Sequence, residues 1–230
     1  MKLLVFPGSA SPCNSLYREV YQLLRSGAKK YGYQKIDTSL RWPGHFDSNE
    51  RSFGTLTLEG AVGVAVNKVQ QFERDGQPYH ILARSFGNYV AMKTILDVRP
   101  KLLRRLILWA PPPYWVLWKM FVRDKDETKK IARKKWLTFD DSFFPSVTPL
   151  ETMLPELRVP CVAATGSEDK YCGHGYLQYL KGFATGAEFD VREVVIDAIH
   201  EVHLGLGNTV VAAYLKALFS ETLSASLAEK

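Results

Sequence analysis

The chain has 230 residues, of which 46% are hydrophobic, 12% aromatic and 23% charged. That balance builds a folded core and excludes long disorder and collagen-like repeats. Thirty Lys and Arg against 24 Asp and Glu leave a net charge of +6, which suits an anionic partner or substrate but equally a solvated surface.

Leu3-Leu4-Val5-Phe6, ahead of Pro7-Gly8, predicts a buried strand. The run is shorter than the ~7–15 residues of a signal-peptide core, so no secretion signal is expected. After a cap at Asn14 or Ser15, Val20, Leu23, Leu24 and Ala28 recur at helical spacing until Gly32. Lys35–Leu40 is a second strand. Thr57 caps a long helix with Leu58, Val62, Val66 and Val69 on one face, ending before Gly76. Tyr79–Ala83 is a strand, 87–97 a helix and Leu106–Ala110 another strand. Further strands are expected at Pro160–Thr165 and Val191–Ile196, and a last helix over about 209–223. Strands alternating with helices predict an α/β fold with a mostly parallel sheet covered on both faces.

Residues 111–158 break this rhythm. They hold Tyr114, Trp115, Trp118, Phe121, Trp136 and Phe143 together with a charged helix around Asp124–Lys135. An insert over the carboxyl edge of the sheet is expected, where open α/β folds bind ligands. With no linker or repeat, the chain reads as one domain, 1–230, with this lid inside it. Cys13, Cys161 and Cys172 form no CxxC pair, so neither a disulfide framework nor a zinc site is implied, and reduced thiols fit a cytoplasmic protein. No apolar run approaches the ~20 residues of a membrane span. No basic and aromatic interleaving on a nucleic-acid fold appears, so no nucleic-acid partner is expected.

The chemistry concentrates at three strand ends. Ala83-Arg84-Ser85-Phe86-Gly87 follows a strand and precedes a helix. Small residues two positions either side of a serine permit a tight turn that lifts its hydroxyl to a helix N-terminus. Downstream come Thr165-Gly166-Ser167-Glu168-Asp169 and then Ile196-Asp197-Ala198-Ile199-His200. Nucleophile, acid and base thus follow in the order Ser85, Asp169, His200, each just past a predicted strand.

In these motifs, and over nearly its whole length, the chain resembles the α/β-hydrolases. The resemblance implies Ser85 as nucleophile, Asp169 in the Gly-x-x-Asp turn as orienting acid and His200 as base, with no cofactor and no metal. It also implies an oxyanion hole from the amides of Ser9, in Val5-Phe6-Pro7-Gly8-Ser9, and of Phe86, with Ala10 a second candidate for the first donor. Arg41-Trp42-Pro43-Gly44-His45 is similar to the family's Arg-Gly-x-Gly stretch. Pro7, Ala83 and Arg84 depart from the usual residues, and with no counterpart expected for the family's first two strands the resemblance implies a compact member. Glu168 competes with Asp169. His203, His174, His45 and Cys172 are read as structural.

The implied activity is that of a serine hydrolase of carboxylic esters. Trp115, Trp118 and Phe121 are candidates for an apolar acyl pocket. Lys129, Lys130, Arg133, Lys134 and Lys135 suggest the alternative of a thioesterase or acyltransferase with an anionic leaving group such as a coenzyme A or carrier thioester. A third reading keeps the hydrolase pocket as a ligand receptor with little turnover.

Overall fold

The computed structural model describes residues 1–9, 15–45, 55–135, 138–167, 169, 171–195 and 207–220. Six strands, β1 (Lys2–Phe6), β2 (Lys35–Asp37), β3 (Tyr79–Arg84), β4 (Leu103–Trp109), β5 (Cys161–Gly166) and β6 (Phe189–Val194), form one sheet in the order β2-β1-β3-β4-β5-β6. Every pairing is parallel. The sheet therefore has one carboxyl edge, and Phe6, Arg84, Trp109 and Gly166 all end on it.

Alternate side chains of each strand enter two separate cores, as the two-residue period requires. Leu4, Phe6, Ile81, Ala83, Leu106 and Leu108 pack on one face. Helices α2 (Leu58–Arg74) and α3 (Gly87–Val98) cover that face. Leu3, Val5, Leu82, Ile107, Val162 and Ala164 pack on the other, under α1 (Ser15–Lys29) and, at the end of the described chain, Gly207–Phe219. Both faces of the central strands are buried, which is why these strands read as near-continuous apolar runs.

The expected helices appear, with Thr57 capping α2 by accepting from the Gly60 amide (3.0 Å). Several boundaries shift: β4 starts at Leu103, three residues ahead of the expected Leu106, and β5 runs Cys161–Gly166 and not Pro160–Thr165. Strand β2 stops at Asp37 and does not reach Leu40, because the Asp37 carboxylate accepts from the Ser39 amide (2.9 Å) and hydroxyl (2.6 Å) and turns the chain. Strand β6 begins at Phe189, two residues ahead of the predicted start, and Ile196 lies outside the described residues.

Residues 111–158 carry the short helix α4 (Tyr114–Trp118), a π-helical turn at Lys119–Arg123, helix α5 (Lys125–Lys135) and helix α6 (Leu150–Met153). The segment leaves the carboxyl end of β4, and Leu117, Phe121, Phe139, Phe143, Leu150 and Leu154 join the core on the α2–α3 face. Helix α7 (His174–Lys181) follows β5. Its eight residues include Gly175 and bury only Leu177 and Leu180, too weak a periodicity to predict from sequence. The last helix is α8 (Gly207–Phe219). No helix among the described residues is long and apolar enough to cross a membrane.

Candidate active site

Ser85 sits between β3 and α3 with φ +51°, one of three non-glycine residues in the left-handed region among the described residues. A side chain there costs about 1–2 kcal/mol, so the surroundings must enforce it. The Ser85 amide donates to Trp109 O at the end of β4 (3.0 Å). The Ser85 carbonyl accepts from the Asn88 amide (3.0 Å) and from Asn88 Nδ2 (2.6 Å), and the same Nδ2 reaches Trp109 O (3.2 Å). Asn88 is wholly buried. It pins the turn from inside α3, a role invisible in the sequence because both partners are backbone carbonyls.

The turn is also jammed against β1. A Cβ on Gly87 would stand 2.5 Å from Pro7 O and 2.6 Å from Phe6 O. Only glycine lets α3 start that close to the strand end that leads into Pro7-Gly8-Ser9. On the other side, a Cβ on Gly8 would meet Ser85 Cβ at 3.3 Å. The Ser85 turn and the predicted oxyanion loop are thus direct neighbours. Phe86 opens α3, its ring buried, stacked on Tyr89 and 5.2 Å from the Phe143 ring of the insert.

Two side chains hold that loop by its carbonyls. The buried Trp42 indole donates to Pro7 O (3.0 Å) and Gly8 O (3.1 Å). His45 Nδ1 accepts from the Trp42 amide (3.1 Å), which leaves the ring proton on Nε2, 2.9 Å from Ser9 O. Burial drives the His45 pKa down to about 3, so the ring is neutral at pH 7. In a trans peptide, N–H points opposite to C=O. Fixing Gly8 O toward Trp42 therefore turns the Ser9 N–H away from it. The Arg41–His45 stretch, matched above only as a string, is a clamp on the loop, and His45 is structural as read. Ala10 lies outside the described residues.

Arg84, odd in sequence at this position, is buried on the α1–α8 face with its guanidinium 5.7 Å from the Trp109 ring centroid. Its Nη1 would lie 3.4 Å from a Cβ at Gly8. A full positive charge therefore stands behind the loop that precedes Ser9.

Asp169 follows β5 and is buried. Its Oδ1 accepts from the amides of Tyr171 and Cys172, both at 2.8 Å, while its own amide donates to Gly166 O (3.1 Å). That turn fixes the carboxylate at the same sheet edge as Ser85. Cys172 is wholly buried, its thiol pKa pushed well up by burial, and its carbonyl accepts from the Thr165 hydroxyl. His174 opens α7 within reach of Gln178 (3.0 Å). His200, His203 and Glu168 lie outside the described residues.

Of the three rings proposed for a pocket, Phe121 is buried against Phe139 and Phe143 at centroid distances of 4.7 and 4.4 Å. Trp115 and Trp118 are 56% and 43% exposed. Among the insert's cations, Lys125 and Lys129 both pair with Asp141, at 3.0 and 2.8 Å. No group of three or more metal-ligating side chains occurs among the described residues.

No protein-family model and no curated protein matches the chain. Solved structures do. An extracellular alpha/beta-hydrolase from a Paenibacillus species is 14% identical, with a TM-score of 0.59 over 94% of this chain and 98% of that one. A monoacylglycerol lipase from Paleococcus ferrophilus is 15% identical, with a TM-score of 0.58 over 95% and 94%. A bromoperoxidase from Bacillus anthracis is 11% identical, with a TM-score of 0.61 over 98% and 91%. At these identities the likeness is one of fold.

Proposed function

We propose that this chain, whose fold is that of the α/β-hydrolases, is a serine hydrolase of carboxylic esters with Ser85 as nucleophile, His200 as base and Asp169 as orienting acid. The observation that carries the reading is the Ser85 backbone, a non-glycine residue at φ +51° between a strand and a helix. Such strain clusters at functional sites, and here it falls on a serine in the strand-to-helix turn.

His200 takes the Ser85 proton as Oγ bonds to the acyl carbon and the carbonyl π pair moves to oxygen. The Ser9 and Phe86 amides receive that oxyanion, each such donor typically lowering the barrier by ~3 kcal/mol. The pair then returns, the ester C–O bond breaks and His200 protonates the leaving alkoxide. Water repeats the sequence on the acyl-enzyme and frees the acid. Asp169 holds the imidazole tautomer and stabilises the imidazolium. The Arg84 cation behind Gly8 adds positive potential at the developing oxyanion.

A fluorophosphonate probe tests the nucleophile. Labelling of the native protein and none of Ser85→Ala is expected, and equal labelling of both overturns the reading. The thioester alternative rests on the basic insert, where Lys125 and Lys129 are already held by Asp141. Turnover of an acyl-CoA against a matched simple ester across a salt series separates the two readings, and a salt-sensitive preference for the thioester overturns the ester one.

A further inference from the structure

At the amino ends of β4 and β5, opposite the edge that carries Ser85, a cavity of about 500 Å³ opens between the end of α3 and the loops leading into the two strands. Its size is within the ~300–1,000 Å³ range of small-molecule sites. Its floor is apolar, formed by Ile95, Leu96, Leu103 and Val159, with prolines 100 and 160 beside them. Its rim is cationic. Arg99, Lys101, Arg104 and Arg158 line it against a single carboxylate, Glu156.

None of these four cations is ion-paired among the described residues. Two are fixed by backbone instead. Arg104 Nη1 donates to Lys101 O (3.3 Å), and Arg158 Nη1 donates to Pro155 O (2.7 Å) and Leu157 O (3.0 Å). Each guanidinium keeps further N–H groups for a ligand. The neighbouring Glu73 does not line the cavity. It accepts from the Lys101 and Leu102 amides at 2.9 and 3.1 Å, which shapes the rim and sets a second carboxylate at its edge. The carboxyl end of α3 adds roughly half a negative charge. Four cations outweigh it, Glu73 and Glu156 together.

We propose that this cavity binds a small amphiphilic anion, with its phosphate or carboxylate head on the Arg–Lys rim and its alkyl or aryl body on the Leu96–Leu103–Val159 floor. Guanidinium groups match both head groups in a bidentate manner, and the floor supplies the apolar contact that a free inorganic anion could not use. The site lies a full strand length from Ser85, so it stands whether or not the hydrolase reading holds.

Calorimetric titration of the full chain with octyl phosphate and with octanoate tests it, with inorganic phosphate and octanol as controls. At least one amphiphile is expected to bind, more weakly as ionic strength rises. Each control should bind at least about tenfold more weakly, because it lacks half of the contact. Arg99→Gln/Arg104→Gln should lower the amphiphile's affinity about tenfold through two lost charged contacts. The pair Lys129→Gln/Lys130→Gln on the insert should leave it unchanged. Because both rim arginines are exposed, the variant is expected to fold, and Leu96→Glu gives a second block of the same cavity. The ranking of the two amphiphiles names the head group. Failure of both to bind overturns the proposal. So does binding that survives the rim and floor variants, or octanol or phosphate binding as tightly as the amphiphile.

Discussion

At the scale of single residues, the candidate site is built by groups that hold backbone in place. Asn88, Trp42 and His45 each bond carbonyls of the Ser85 turn or the 7–9 loop, and Gly87 lets the two touch. Gly87→Ala brings a methyl group against Phe6 O and Pro7 O, where the only relief is movement of β1 or of the turn itself. Overpacking of this kind typically costs about 1–3 kcal/mol. The expected outcome is a lower melting temperature together with loss of fluorophosphonate labelling. A variant labelled at the native rate would mean that the turn does not need this close approach. The residue pattern alone carried the turn, since small residues flank Ser85 at the right spacing. It could not carry Asn88 or the clamp, which act on backbone carbonyls, most of them far away in sequence, and leave no side-chain pattern to read.

At the scale of elements, the loop clamp is itself tied to the insert. The Thr138 amide donates to Gly44 O (2.8 Å), and the Leu56 amide donates to Thr138 O (2.8 Å). The Leu58 amide, at the head of α2, donates to Ser146 Oγ (3.0 Å). Gly44, between Trp42 and His45, has φ +85°, and a Cβ there would fall 2.9 Å from the Leu56 amide nitrogen. Gly44→Ala therefore combines a left-handed penalty of about 1 kcal/mol with a steric push on this junction. It should loosen Trp42 and His45 together. The expected signature is a weakened near-ultraviolet circular dichroism signal from the buried Trp42 and a fall in ester turnover larger than the rise in KM. A stability loss with turnover unchanged would separate the clamp from the chemistry. The aromatic run of the insert was legible as apolar surface. Its partition was not, because Phe121 turns inward while Trp115 and Trp118 face solvent on the same short stretch, and only packing decides which side of a helical turn is covered.

At the scale of the whole molecule, the sheet and its two cores followed from the alternation of apolar runs and helical periods. The strand ends did not, since β2 is cut short by the Asp37 turn and not by any loss of apolar character. Two buried histidines, His45 in the loop clamp and His80 in β3, give the fold a pH dependence. Burial lowers His45 to about 3, with Arg41 adding to the effect, and lowers His80 to about 4, helped by Arg105 and the N-terminal amine. His80 sits against the Tyr33 hydroxyl at 2.7 Å. Both rings are neutral in the folded chain below their unfolded value near 6.5. The unfolded chain therefore binds more protons in that window, and stability falls as the pH is lowered. The contribution of the neutral rings is present above about pH 6.5 and is lost progressively toward pH 4 and 3. From about pH 7 to about pH 5 the two together should cost about 4 kcal/mol. Asp37, held low mainly by Lys68 and Ser39 against its own burial, titrates below this window and does not mask it. Urea unfolding across the range should show the fall, and His45→Gln and His80→Gln should each remove about half of it. A slope unchanged by either substitution would mean that these rings take up protons within the folded state, and that the clamp on Ser9 opens in acid without unfolding the sheet.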